Sequence, residues 1–261
     1  MEKTTNFQKV KTLIGWPILF LVGQLFILFL LIAILQFVKP ISFTEFELAD
    51  RLRTVLFPST VITFCIFYPI FSRKYQKEKI HSVALPKNKI LYYVLFGVLT
   101  SFVIHIFFLK MERVLPIPAT LSSTSVTYDW FYIGRVFSTA LIGPILEEYL
   151  FRGFLYQEAK KWMKPMRAIL LITLIFVLCH TTVYSFLAAI VISFIVIDAL
   201  EKEKSITAPI LFHMFYNLIA ITIIPLIARY QMYQLDIIFI VMLVCFVVLY
   251  LINKPTKFPK K

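Results

Sequence analysis

Eight apolar runs, at roughly 16–38, 54–71, 90–109, 131–156, 166–183, 185–200, 206–228 and 235–252, constrain this chain more than any other feature. At ~1.5 Å of helical rise per residue, most are long enough to cross a ~30 Å hydrocarbon layer. Inside lipid the backbone must close its own hydrogen bonds, which a helix does within one segment. The pattern predicts an all-α polytopic membrane protein with eight transmembrane helices. The sixth run is the weakest, because it is short and carries Asp198. The first lacks a small-residue cleavage site and reads as a retained span rather than a secretory signal. With no repeats and no long linker, residues 1–261 form a single transmembrane domain. The composition, 60% apolar with a mean hydropathy of +0.84, agrees with that class, since soluble domains run nearer 45–50% apolar.

The net charge of +13 would suit a nucleic-acid partner if it formed a patch. Instead the cations lie in the loops between runs. Alternate loops collect 19 Lys and Arg on the side holding both termini and 6 on the other, with Arg135 and Arg152 inside the fourth run. That asymmetry is the positive-inside pattern. It places both termini in the cytoplasm of a multi-pass cell-membrane protein and argues for a lipid bilayer, not nucleic acid, as the partner. The basic loop 73–89 reads as a solvated connection facing lipid headgroups, and 116–130 as an outer loop or cap. Cys65, Cys179 and Cys245 all fall in apolar runs without metal or disulfide spacing and read as small packing residues.

Ionisable residues inside these runs need a reason, since each costs ~2.5–3.5 kcal/mol at mid-membrane on the insertion scale. In GPILEEYLFRGFLY (143–156), Glu148 and Arg152 have the i,i+4 spacing of an ion pair. Glu147 has no such partner, and so reads as the carboxylate available for general-base work. Gly153 leaves room for another helix to approach. His180 closes FVLCH, four residues after Phe176. His213 opens HMFYN, with Asn217 on the same helical face. Measured from the cytoplasmic ends of their runs, Glu147, His180, His213 and Asn217 lie at depths of ~15, ~20, ~10 and ~16 Å, so they share one slab near mid-membrane. Three other polar residues have plain readings: His105 as an interhelical hydrogen-bonding group, Arg135 snorkelling to the outer interface, and Asp198 paired with Lys202 at a helix end.

EEYLFR, FVLCH and HMFYN, in that order and on separate spans, resemble the three signatures of the CPBP intramembrane proteases. That family groups CAAX prenyl-protein endopeptidases with bacteriocin-processing and self-immunity (Abi-type) proteins. The resemblance covers about 131–228. It implies an intramembrane endopeptidase in which Glu147 and His180 activate a water, His213 and Asn217 hold the oxyanion, and Glu148 with Arg152 brace the site. Two chemistries stay open. Glu147, His180 and His213 make a three-ligand set for zinc with a position left for water. The same residues serve a metal-free base with a His/Asn oxyanion hole. HExxH is absent, and the reading leans to the metal-free scheme, although relatives are expected to carry the label metalloprotease.

The resemblance implies a hydrophobic peptide or membrane-anchored precursor as substrate. Prenylation is not required, because the terminus KFPKK carries no CAAX box and the Lys- and Phe-rich, Gly-poor composition suggests a bacterium. Two other classes compete. An immunity protein would bind a bacteriocin or another membrane partner without catalysis. A proton-coupled transporter would also use intramembrane Glu and His, but it is disfavoured by the lack of internal two-fold similarity and of paired broken spans.

Overall fold

The computed structural model describes residues 6–38, 45–77, 84–115, 129–180 and 182–253. Among these the chain is all helical, with no strand. In order, the helices are α1 (Asn6–Val38), α2 (Glu45–Lys77), α3 (Lys87–Val114), α4 (130–160), α5 (Pro165–Leu178), α6 (Val183–Glu203), α7 (Thr207–Thr222), the single turn α8 (Ile224–Ile227) and α9 (Met232–Ile252). Among the described residues, six stretches are long and apolar enough to cross a membrane: Val10–Val38, Leu52–Gln76, Lys87–Val114, Val183–Glu203, Thr207–Ile227 and Met232–Ile252.

The eight-span count is not reached by that criterion, and the fourth and fifth runs account for the difference. The fifth becomes a helix of 14 residues that stops at Leu178, a rise of only ~21 Å. The fourth is a continuous helical rod made of alternating segments. Trp130–Val136, Gly143–Glu148 and Tyr156–Lys160 are α-helical, while Phe137–Ile142 and Tyr149–Leu155 are π-helical. The sixth run, expected to be weak, is instead a full helix of 21 residues, Val183–Glu203. Asp198 sits in it near the C-terminal end, where Lys202 Nζ donates to the Asn253 carbonyl at 2.6 Å. Residues 78–83 of the basic loop lie outside the described residues, as do residues 116–128 of the outer loop, while 73–77 continue α2. Asp129 begins α4 as its N-cap, its carboxylate accepting from Tyr132 N at 2.8 Å.

Exposed apolar side chains cover the flanks of α1 and α9, as expected where the neighbour is lipid. The buried interior surrounds α4. Leu146, Leu150, Phe154 and Leu155 pack with Phe71 of α2 and with Ile172 and Phe176 of α5. Gly153 does what its size allows: the Tyr75 ring of α2 lies 3.0 Å from where a Cβ would stand. Of the cysteines, Cys65 and Cys245 are exposed rather than packed, and Cys179 Sγ donates to the Ile175 carbonyl at 3.3 Å.

The tightest helix contact joins α3 to α7, the helix carrying HMFYN. A Cβ on Gly97 would fall 2.4 Å from the Phe212 carbonyl oxygen and 3.2 Å from Tyr216 N. Both are backbone atoms with nowhere to retreat. Gly97→Ala should therefore cost at least about 1–3 kcal/mol, the range for overpacking, and lower the melting temperature of the detergent-purified protein. An unchanged melting temperature would mean that α3 and α7 are not this close.

Candidate active site

Glu148 is wholly buried, and two partners hold it. Arg152 Nε lies 3.3 Å from Glu148 Oε2, with both side chains fully buried, so the i,i+4 pair expected from sequence is present. His213 Nδ1 lies 2.8 Å from Glu148 Oε1 and connects α4 to α7. The Arg152 guanidinium stacks over the Phe176 ring with its carbon 4.1 Å from the centroid. Its nitrogens have no hydrogen-bond partner among the described residues, so the Glu148 charge and the desolvated aromatic face together compensate its burial. The Phe176 ring also meets His180 and His213 edge-on, at 4.8 and 6.2 Å between centroids. Sequence reading took Phe176 only as a motif landmark; in the fold it touches three of the six polar residues.

Glu147 turns the other way. Neighbours on a helix point about 100° apart, and while Glu148 faces the protein, the Glu147 side chain is 31% exposed. It lines a cavity of about 550 Å³ together with His180, His213 and Asn217. Its Oε2 lies 3.9 Å from His213 Nε2. The residues that the motifs single out therefore separate into two groups. Glu147, His180, His213 and Asn217 face a common space, and Glu148 with Arg152 stand behind it.

His180 reaches the cavity because α5 ends early. The Cys179 and His180 amides close the last turn on Phe176 and Val177, and the chain enters α6 through a capping box. There the Thr182 hydroxyl accepts from Ser185 N, and the Ser185 hydroxyl accepts from Thr182 N. His180 thus stands at a helix terminus rather than within a span. Its Nδ1 contacts the Phe176 carbonyl at 2.9 Å. A carbonyl only accepts, so Nδ1 carries the proton, and in the neutral ring Nε2 holds the lone pair. His213 follows the same logic, donating from Nδ1 to a carboxylate and leaving Nε2 toward Glu147.

Asn217 is positioned by a break in α4. In the first π-helical segment the Gly143 amide bonds back five residues to the Ser138 carbonyl. In that register the Thr139 carbonyl would next receive the amide of residue 144, but residue 144 is proline and has none. Asn217 Nδ2 donates to the Thr139 carbonyl instead, at 2.9 Å. One of its two amide hydrogens is spent on this anchor.

The zinc set anticipated from residue types does not fit this arrangement. Among the described residues no three His, Cys, Asp or Glu side chains come close enough to hold one ion. Glu147 and His213 approach each other, but His180 does not complete a set with them. One reading from sequence is corrected and one is extended. The His105 Nδ1 donates to the Ser101 carbonyl of its own helix at 2.8 Å, and the link between helices is made by Ser101, whose hydroxyl donates to the Tyr216 carbonyl at 2.8 Å. Arg135, expected only to snorkel, lines the cavity, as does His105.

Residues 129–219 match the model of the family described as type II CAAX prenyl endopeptidase, Rce1-like. The matched stretch contains all six motif residues and supports assignment to the CPBP and CAAX protease family. No curated protein matches the chain.

The buried pair makes a prediction about stability. Removing one partner leaves an uncompensated charge in the interior, which costs about 3–5 kcal/mol. Arg152→Met or Glu148→Leu alone should therefore destabilise the protein strongly, and the double substitution should cost clearly less than either. Thermal unfolding of the four proteins in one detergent measures this; additive losses would contradict the pairing.

Proposed function

We propose that this chain, whose motif segment is that of the CAAX-type intramembrane endopeptidases, hydrolyses a peptide bond in a hydrophobic or membrane-anchored substrate. One observation carries the reading: Glu147, His180, His213 and Asn217, drawn from three elements, line one cavity, while a buried carboxylate fixes His213 from behind. A structural polar cluster would satisfy its members mutually. Here Glu147 Oε2 and His213 Nε2 stand 3.9 Å apart, beyond hydrogen-bond distance, and His180 is held through Nδ1 alone.

In this scheme a water lies between Glu147 and His180 Nε2. Glu147 takes its proton as the oxygen attacks the carbonyl carbon, and returns a proton to the leaving amine as the intermediate collapses. The developing oxyanion is held by His213 and by the remaining amide hydrogen of Asn217. Because His213 Nδ1 is committed to Glu148, Nε2 donates only from the protonated ring. Phe176 adds apolar surface to the cavity beside both histidines.

Purified protein and a panel of hydrophobic leader peptides test the scheme. Glu147→Gln should lower kcat by at least the ~10²–10⁴-fold typical of a lost general base with its melting temperature preserved, and Asn217→Ala should lower kcat by ~10²–10³-fold. Chelator should leave cleavage intact. Cleavage that survives Glu147→Gln would remove the assignment, and loss of cleavage on chelation would replace this mechanism with a metal-assisted one.

A further inference from the structure

A second cavity, of about 490 Å³, runs as a groove between α1 and α5 on a face of α5 that the hydrolytic residues do not use. Ile14, Ile18 and Leu21 line it from α1, and Leu171, Leu174 and Leu178 from α5, each set at the three- and four-residue spacing of one helix face. At its far end stands Cys179, next in the chain to His180, so consecutive residues line the two cavities. The Cys179 thiol is committed to the Ile175 carbonyl. Apart from that thiol and the Trp162 indole, the lining is hydrocarbon.

Both helices start at the same end of the groove. Trp16 of α1 meets Phe154 of α4 and, two turns later, Gln24 lines the main cavity with Gly143, so α4 runs antiparallel to α1. After residues 161–164 the chain turns back and Phe176 meets Phe151, so α5 runs parallel to α1. That shared end is basic. Arg167 precedes Leu171 by one turn on the same face of α5, Lys164 is the N-cap of that helix, and Lys11 precedes Ile14 by three residues on α1. All three are exposed, and their side chains make no ion pair or hydrogen bond among the described residues. Trp162, in the turn between α4 and α5, lines the groove beside them.

Dimensions choose the occupant. From Val10 to Leu21 the groove is ~16 Å long at helical rise, so its volume of about 490 Å³ gives a mean width of about 6 Å. A helix with its side chains is ~10–12 Å across and does not fit. A single hydrocarbon chain, whose carbons touch their neighbours at ~3.5–4.0 Å, does. We propose that the groove binds one acyl chain of an anionic phospholipid, with the headgroup phosphate held among Lys11, Lys164 and Arg167. An apolar slot alone would take any lipid chain; the cations at one end, with a tryptophan at the boundary, set the preference for negative charge. A chain seated to the far end lies against Cys179, behind the turn that presents His180. Binding here asks nothing of the hydrolytic residues.

Fluorescence of Trp162 tests this in the full chain. Trp16→Phe and Trp130→Phe leave it as the one tryptophan. The protein is reconstituted in phosphatidylcholine vesicles containing rising fractions of phosphatidylglycerol or phosphatidylcholine with brominated acyl chains, which quench on contact. The brominated phosphatidylglycerol should reach half-maximal quenching at about a five- to thirty-fold lower mole fraction, the value of one or two engaged cations. Lys164→Gln with Arg167→Gln should bring the two lipids together while quenching by the phosphatidylcholine persists, and Arg167→Lys alone should keep most of the preference. Ile14→Phe with Leu174→Phe, which fills the slot, should weaken quenching by both. Equal quenching by the two lipids before the cations are removed, or a preference that survives their removal, overturns the proposal. So does quenching that appears only as the protein is diluted in the bilayer, which would mean that a second copy covers the groove.

Discussion

A carboxylate with no access to water has to be surrounded by groups that want its charge, and Glu148 organises this fold by that requirement. Arg152 meets one oxygen from a turn along the same helix, and His213 meets the other from α7. The arginine, desolvated in turn, lies flat on Phe176 of α5. Three helices are thereby tied through a single side chain. The hydrogen bond to His213 fixes which ring nitrogen carries a proton, and so what the opposite nitrogen can do. Glu147, one residue earlier and chemically identical, is partly exposed, stands 3.9 Å from His213 Nε2 and faces the cavity. Two adjacent glutamates reach opposite fates because a helix turns about 100° between them.

Irregular backbone completes the arrangement. A regular α-helix through Gly143 and Pro144 would leave one carbonyl without a donor wherever the proline fell. The π-helical turn assigns that vacancy to Thr139, and Asn217 fills it from α7. A helix defect thus becomes the anchor of a polar side chain that lines the cavity, in keeping with the frequency of π-bulges at functional sites. The early end of α5 acts alike. By stopping at Leu178 it frees the following residues to present His180 from a capped turn instead of a helix face.

The polar residues were legible in the sequence because lipid makes them conspicuous, and the i,i+4 spacing of Glu148 and Arg152 pointed to their pairing. The partner of Glu148 across the helices was not legible, since no local pattern shows which histidine meets which carboxylate. Hydropathy found the long helices but overstated the fifth, reading Cys179 to Val183 as continuous with it when the capping pair Thr182 and Ser185 already marked a new start. It undervalued the sixth, where Asp198 lies near the helix end. Arg135 and His105 were judged one at a time, as snorkelling and packing residues, because a cavity assembled from distant segments leaves no trace along the chain.

The tie between Glu148 and His213 is the claim on which the rest hangs, and the nitrogen shifts of the histidine ring report it directly. In ¹⁵N-histidine-labelled protein reconstituted in lipid, with resonances assigned by single His→Gln substitutions, His213 should show a protonated Nδ1 strongly hydrogen-bonded to a carboxylate. Glu148→Gln should shift that resonance and leave those of His180 and His105 in place. A His213 ring protonated at Nε2 alone, or indifferent to Glu148→Gln, would contradict the account.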